Sequence, residues 1–260
     1  IHIGGSKAQE SYLLPKKIIE VAKKLNADAI HPGYGFMAEN AEFAQDVIDS
    51  GITWIGPKPN TIISMGNKDI ARELAIKNNL PICPGLNNSE LDDVDLEKKC
   101  NEIGYPILIK ASAGGGGIGM QIANNYEQLN QSIEKTKNLA KKAFGNSDIF
   151  LEKFISNARH IEIQVFGFGE KKALHFYERD CSIQRRFQKI IEESPAPQIE
   201  KSIIDEMAES AVNFVTNQKY EGAGTIEYIY DIDNKKFYFL EMNTRIQVEH
   251  PVTETVTNFD

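Results

Sequence analysis

Glu227, Glu241 and Asn243 are the residues whose types and spacing point most clearly to chemistry. They lie on two aromatic, β-branched runs, Thr225-Ile-Glu-Tyr-Ile-Tyr230 and Lys236-Phe-Tyr-Phe-Leu-Glu-Met-Asn243. These read as the strands of a hairpin that turns through residues 231–236. Strict alternation puts Phe237, Phe239, Glu241 and Asn243 on one face of the second strand, and Tyr238, Leu240 and Met242 on the other. Pairing the strands sets Glu227 near Glu241. Like charges facing each other across strands repel, so the expectation is a hard cation between them. Mg²⁺ is commonly held by one or two carboxylates together with substrate phosphates. The alternative is an ordinary solvated face. Beyond the strand, Arg245, Gln247, Glu249 and His250 lead into Pro251. Such a dense polar run suits a loop lining a site, so the metal site is expected to continue into a reaction site.

A second constellation supplies an anion site. Ile107-Leu-Ile-Lys110 reads as a strand, followed by Gly114-Gly-Gly-Gly117 and Gly119. Glycines let backbone N–H groups approach a phosphate. No Gly-Lys-Ser/Thr follows, and the formal GxGxxG match precedes a strand-like Met120-Gln-Ile-Ala123 instead of a helix. A β-hairpin flap over a nucleotide therefore fits better than a dinucleotide fold. Arg159-His-Ile-Glu-Ile-Gln164 alternates, with His160, Glu162 and Gln164 on one face. After a strand at residues 173–177, the stretch 178–189 reads as a polar loop carrying Arg179, Arg185, Arg186 and Lys189. A cationic cluster beside a metal–phosphate site would trap an anion.

The elements that must position these groups are legible in outline. Residues 15–25 and 42–50 have helical apolar spacing, and short strands near 27–30 and 53–55 alternate with them. This suggests the back half of a parallel-sheet, Rossmann-like domain. His31, in the turn His31-Pro-Gly-Tyr-Gly-Phe36, reads as a packed turn residue sooner than a ligand. Residues 61–79 read as a helix or helix pair, 127–144 as a long amphipathic helix, 148–153 as a strand and 200–217 as a helix.

Apolar content of 41% and charged content of 25% describe an ordinary globular protein of 260 residues. A net charge of −8 offers no general attraction to nucleic acid or to anionic membrane. No apolar run approaches a membrane span. Cys83, Cys100 and Cys181 lack metal-ligand spacing and read as reduced structural thiols in a cytoplasmic or organelle-matrix setting. Ile1-His-Ile-Gly reads as the end of a strand, and the chain is expected to be a fragment truncated at both ends.

In order along the chain stand Met65-Gly-Asn-Lys, Ile109-Lys-Ala-Ser with its glycines, Glu152-Lys-Phe, and Arg159-His-Ile-Glu-Ile-Gln. Glu178-Arg-Asp-Cys-Ser-Ile-Gln-Arg-Arg and Glu241-Met-Asn-Thr-Arg-Ile-Gln-Val-Glu-His-Pro-Val-Thr-Glu follow. Together they closely resemble the biotin carboxylase subunit or domain of biotin-dependent carboxylases. The resemblance implies a mixed α/β and α+β architecture: an ATP-grasp fold at 67–260, with a lid subdomain about 82–154 and a truncated C-terminal core. A partial N-terminal biotin carboxylase domain, Rossmann-like, would occupy 1–66.

By that resemblance, Lys68, Lys110, Gly116, Gly117, Glu152, Lys153, Phe154, Ile155, His160 and Gln184 would bind ATP, with Met120 and Leu240 packing on adenine. Glu227, Glu241 and Asn243 would hold Mg²⁺ or Mn²⁺. Lys189, Arg245, Gln247 and Val248 would bind bicarbonate, and Glu249 would deprotonate it. The implied reaction is ATP-dependent carboxylation of biotin through carboxyphosphate. The implied partners are a biotin carboxyl carrier, a carboxyltransferase and a second copy of the chain, in cytoplasm or mitochondrial matrix. Family members usually carry histidine at Phe187 and arginine or lysine at Ile118. These departures would lower ATP affinity. The alternatives are a ligase of the carbamoyl-phosphate synthetase type and a non-catalytic nucleotide-binding remnant.

Overall fold

A computed structural model describes residues 1–112, 119–185 and 188–260. The N-terminal part packs helix α1 (Pro15–Lys24), strand β1 (Ala29–Ile30), helix α2 (Ala41–Asp49) and strand β2 (Thr53–Trp54). The two strands are parallel, as a helical crossover permits, with Ala29 opposite Thr53. Asn40 caps α2 by accepting from the Phe43 amide. Phe43, Val47, Trp54 and Ile62 close a small core, with Phe43 edge-on to Trp54 at 5.7 Å. His31 Nδ1 accepts from the Gly33 amide, so this histidine organises its own turn. Residues 1–4 form no strand, contrary to expectation.

Helices α3 (Pro59–Gly66) and α4 (Lys68–Lys77) meet at Asn67. Its side chain accepts from the amides of Asp69 and Ile70, which ends one helix, starts the next and fixes Lys68 in the first turn of α4. A four-stranded sheet follows, built from β3 (Gly85–Leu86), β4 (Ile107–Ala111), β5 (Gln121–Ala123) and β6 (Ile149–Lys153) in the order β3-β6-β4-β5. It is covered by α5 (Leu96–Ile103) and α6 (Tyr126–Phe144), with Ile107, Ile109, Leu129, Ile149 and Leu151 in its core. Gly85 permits the close pairing of β3: a Cβ there would stand 2.1 Å from the Leu151 carbonyl oxygen. Antiparallel β4 and β5 bracket the glycine segment as a hairpin. Residues 113–118 themselves, with Gly116, Gly117 and Ile118, lie outside the described residues.

The central sheet is antiparallel, in the order β11-β10-β7-β8-β9, and comprises β7 (Ala158–Phe168), β8 (Ala173–Arg185), β9 (Gln188–Glu193), β10 (Glu221–Asp231) and β11 (Lys236–Asn243). Helix α7 (Lys201–Asn217) covers one face, where Ile161, Ile163, Ile226, Tyr228, Phe214 and Phe239 are buried. His160, Glu162 and Gln164 point the opposite way, as the two-residue strand period requires. Helix α8 (His250–Thr257) ends the chain against β8. Among the described residues no helix is long and apolar enough to cross a membrane.

Two further expectations fail. Residues 178–185 are not loop but the continuation of β8, and β9 pairs back onto it, with Gln184 opposite Lys189. A polar sequence can form a buried strand here because its charges are matched in place: Arg179 is fully buried against Glu162 at 2.5 Å. The strict alternation of β11 also breaks. Glu227 pairs with Glu241 but Tyr228 pairs with Phe239, which leaves Leu240 as an extra, bulged residue. Phe239 and Met242 consequently both enter the core, while the adjacent Leu240 and Glu241 both border the cleft.

Candidate active site

The polar face of the central sheet and the four-stranded sheet enclose a cleft of about 850 Å³. Toward the four-stranded sheet, Met120, Phe154, Ile155 and Leu240 form apolar walls, together with Ile229 and Tyr238. Lys110 on β4 donates to Glu152 on β6 at 2.6 Å, and the other carboxylate oxygen of Glu152 accepts from Arg72 of α4 at 3.0 Å. Lys153 borders the cleft, but its amine donates outward to the carbonyls of Gly104 (3.0 Å) and Tyr105 (2.7 Å) and fixes the approach to β4. Burial pushes the Cys83 thiol on this wall up to about 12, with the Glu152 charge adding, so the thiol stays protonated.

In the middle of the cleft, Glu227 and Glu241 face each other across β10 and β11. Glu227 is the better served of the two. Asn243 donates to it at 2.7 Å, Gln247 donates at 3.2 Å, and His160 Nε2 stands 2.8 Å away. That contact is short, and the attraction between imidazolium and carboxylate favours the charged form of both. Gln184 Nε2 lies 2.8 Å from the other ring nitrogen of His160. Burial opposes ionisation of Glu227, but His160 and Lys189 outweigh it and hold its pKa well below the carboxylate range. Burial likewise disfavours the imidazolium of His160, yet Glu227 raises its pKa above the ordinary value. Glu241 fares differently. Burial and then the Glu227 charge raise its pKa, against Lys68 at 3.7 Å.

At the far end, Lys189 Nζ is surrounded by Glu162 (2.5 Å), Glu227 (3.0 Å) and Glu249 (2.9 Å). Burial disfavours the ammonium, but Glu227 and Glu162 overcome this and raise its pKa. Burial would also raise Glu249, but the Lys189 hydrogen bond and charge bring its pKa down. Beneath them, Arg179 spreads its fork over Glu162, Gln164 (2.9 Å), Thr253 (2.6 Å) and Gln247 (2.8 Å), which fixes the loop after β11 and the start of α8. Arg245 donates to Glu39 at 2.9 Å, to Asn243 at 3.3 Å and to the Ile246 carbonyl at 3.2 Å. Val248, 62% exposed, lies at the mouth.

The cleft brings together the residues expected for nucleotide, metal and bicarbonate except Gly116 and Gly117, which lie outside the described residues with Arg186 and Phe187. Arg185, expected in the cationic cluster, is instead exposed at the end of β8 and does not line the cleft. Arg179 was expected as a free loop cation; it is instead buried support. Arg72 and Glu39 had no local signal, because their partners are 80 and 206 positions away.

The donor set suits a hard divalent cation. Glu227, Glu241 and the Asn243 amide offer oxygen ligands, and burial and the facing Glu227 raise the pKa of Glu241, a cost that a bound cation would relieve. The tighter clusters His160–Glu162–Glu227 and Glu162–Cys181–Glu249 do not suit one. Both enclose Lys189, whose ammonium already supplies the countercharge.

Comparison with known proteins identifies the family and the fold. Residues 67–260 match the family model described as carbamoyl-phosphate synthase L chain, ATP binding domain, and residues 1–62 match biotin carboxylase, N-terminal domain. The chain is 47% identical over 258 residues to Biotin carboxylase 1 of Bacillus subtilis, covering 99% of this chain and 57% of that protein. It is 46% identical over 258 residues to the mitochondrial methylcrotonoyl-CoA carboxylase subunit alpha of Dictyostelium discoideum, covering 99% of this chain and 37% of that protein. A crystal structure of biotin carboxylase from Campylobacter jejuni, a β,γ-ATP complex, superposes with a TM-score of 0.91 at 42% identity, covering 99% of this chain and 58% of that one. The biotin carboxylase domain dimer of 2-oxoglutarate carboxylase from Hydrogenobacter thermophilus, with MgADP, ADP and bicarbonate, gives 0.88 at 44%, covering 98% and 56%.

Fold and cleft thus define an ATP-grasp protein. The chain belongs to the biotin carboxylase family, on the two family models and on relatives that carry that name. It spans about half the length of Biotin carboxylase 1 of Bacillus subtilis, 57%, and less of longer relatives, 37% of the Dictyostelium protein.

Proposed function

We propose that this chain carries the ATP- and bicarbonate-binding part of a biotin carboxylase. It would form carboxyphosphate from ATP and bicarbonate and carboxylate biotin on a carrier domain, the first half-reaction of an acyl-CoA or pyruvate carboxylase. The observation that carries this reading is the Lys189–Glu249 pair at 2.9 Å, flanked by Gln247 and Arg245. It joins a base to a cationic anion seat at one end of a cleft whose other end suits a nucleotide.

The chain's own residues divide the work. Apolar walls at Met120, Ile155 and Leu240 would take the base of ATP, and Lys110 and Lys68 would neutralise its phosphates. A divalent cation held by Glu227, Glu241 and Asn243 would offset charge on the phosphate oxygens during transfer. Lys189, Arg245, Gln247 and the Val248 backbone would hold bicarbonate with one oxygen toward the γ-phosphorus. Glu249 takes its proton as that oxygen bonds to phosphorus, and ADP leaves with the electrons of the broken P–O bond. Once the anion takes Lys189, Glu249 loses part of its countercharge. Its proton affinity then rises toward what a base at neutral pH needs.

The organisation we infer is an N-terminal domain at 1–66 and an ATP-grasp domain at 67–260 with its lid about 82–154. The partners would be a biotin carboxyl carrier, a carboxyltransferase and a second copy of the chain, in cytoplasm or mitochondrial matrix. The test is ATP hydrolysis by the full protein with bicarbonate, biotin or both. Hydrolysis that requires both supports the reading; hydrolysis indifferent to both supports a nucleotide-binding remnant.

A further inference from the structure

Arg72 lies behind the cleft wall and outside every role assigned above. It is four positions from Lys68 on α4, so both side chains leave the same helix face. Lys68 approaches Glu241 in the central sheet, whereas Arg72 turns to the lid. One arm of its guanidinium donates to Glu152 Oε1 at 3.0 Å and the other to the Cys83 carbonyl at 2.6 Å. The second oxygen of Glu152 accepts from Lys110 at 2.6 Å. The Arg72, Glu152 and Lys110 side chains are only 10%, 11% and 11% exposed.

Two features of this group go beyond packing. Two cations share one carboxylate, so these three side chains together carry a net positive charge where water screens little, with Asp69 acting on Arg72 and Glu241 on Lys110 from outside the group. Arg72 also occupies one oxygen of Glu152 and so stops the carboxylate from closing both oxygens on Lys110. An apolar side chain at position 72 would leave Lys110 and Glu152 as a neutral pair.

We propose that Arg72 is a positioning residue for the nucleotide: by holding Glu152 it keeps that carboxylate from closing both oxygens on Lys110 and so presents the Lys110 amine to the phosphates of ATP. The proposal rests on the reading of this cleft as an ATP site. Its action runs through a carboxylate, so it should vanish when that carboxylate is neutral.

The test is steady-state kinetics of the full protein with MgATP and bicarbonate varied separately. Arg72→Met should raise the KM for ATP about tenfold, the size of one charged hydrogen bond, and leave kcat and the bicarbonate KM unchanged. Arg72→Lys restores charge without the fork and should raise it less. In a Glu152→Gln background, Arg72→Met should have no further effect on the ATP KM. A purely structural arginine would lower the active fraction, and so kcat, at constant KM. An unchanged ATP KM in Arg72→Met, or an effect that persists beside Glu152→Gln, overturns the proposal. Should Arg72→Met not fold, an unchanged ATP KM in Arg72→Lys does the same, because a lysine amine cannot span Glu152 and the Cys83 carbonyl as the fork does. Lys110→Met separates the two readings. If it leaves the ATP KM unchanged, the nucleotide reading of the cleft fails; if it raises that KM while Arg72→Met does not, only the role of Arg72 fails.

Discussion

Lys189 and Glu249 are bonded to each other: the ammonium donates to the carboxylate at 2.9 Å, while Glu162 and Glu227 hold the same ammonium from the β7 and β10 strands. Base and anion seat are therefore one electrostatic unit, and occupation of one changes the other.

Glu249→Gln keeps the size and hydrogen-bonding capacity of the side chain but cannot take a proton. Turnover should fall by about 10²–10⁴, with the ATP KM little changed. A variant that retains near-normal bicarbonate-dependent turnover would remove Glu249 from the role of base.

Lys189→Gln should raise the bicarbonate concentration required, and it should also destabilise the fold. Removing the ammonium leaves Glu162, Glu227 and Glu249 without their shared countercharge, and breaking a buried ion pair commonly costs about 3–5 kcal/mol. Chemical denaturation alongside kinetics checks both. A bicarbonate KM that stays put would take Lys189 out of the anion seat.

The two facing carboxylates predict opposite pH effects. Burial and Glu227 raise the pKa of Glu241 above the ordinary glutamate value of 4.5, so its ionised form weakens the fold and protonation relieves the cost. Glu241→Gln should thus raise Tm at pH 7 in the absence of divalent metal, and the gain should fade as pH falls toward 4.5. It should also increase the Mg²⁺ concentration needed for turnover. Glu227 has a lowered folded pKa, so the stability it contributes is present above 4.5 and is lost as pH falls below it. Glu227→Gln should lower Tm at pH 7. Equal Tm values for wild type and both variants across this range would contradict the electrostatic account.

Much of this site was legible in the chain. The hairpin that pairs Glu227 with Glu241 follows from two β-branched runs around a polar turn, and the glycine hairpin from a strand on either side of it. The bulge at Leu240 was not, because period-2 alternation contains no signal for one extra residue; only the partner strand reveals it. Residues 178–185 looked like a loop because a local reading counts charges without seeing what neutralises them. Arg179 is a strand residue whose partner, Glu162, comes from the neighbouring strand. Arg72 and Glu39 act across 80 and 206 positions, where no local pattern reaches.

The frame behind the cleft depends on the apolar face of the central sheet. Phe214 of α7 is fully buried, with its ring 5.7 Å from that of Phe239 on β11, the strand that carries Glu241 and Asn243. Phe214→Ala should cost about 3–5 kcal/mol of unfolding free energy. Urea denaturation that shows less than about 1 kcal/mol would mean the helix is not the support described.

The most direct test of the account follows oxygen. Attack of bicarbonate on the γ-phosphoryl group, with Glu249 removing the proton, leaves one bicarbonate oxygen on the phosphate released from carboxyphosphate. The full protein, given ATP, biotin and ¹⁸O-labelled bicarbonate, should release inorganic phosphate carrying one ¹⁸O per turnover, and Glu249→Gln should release little phosphate of any kind. Phosphate formed at the normal rate without label would show that water, not bicarbonate, is the nucleophile in this cleft, and the account would be wrong.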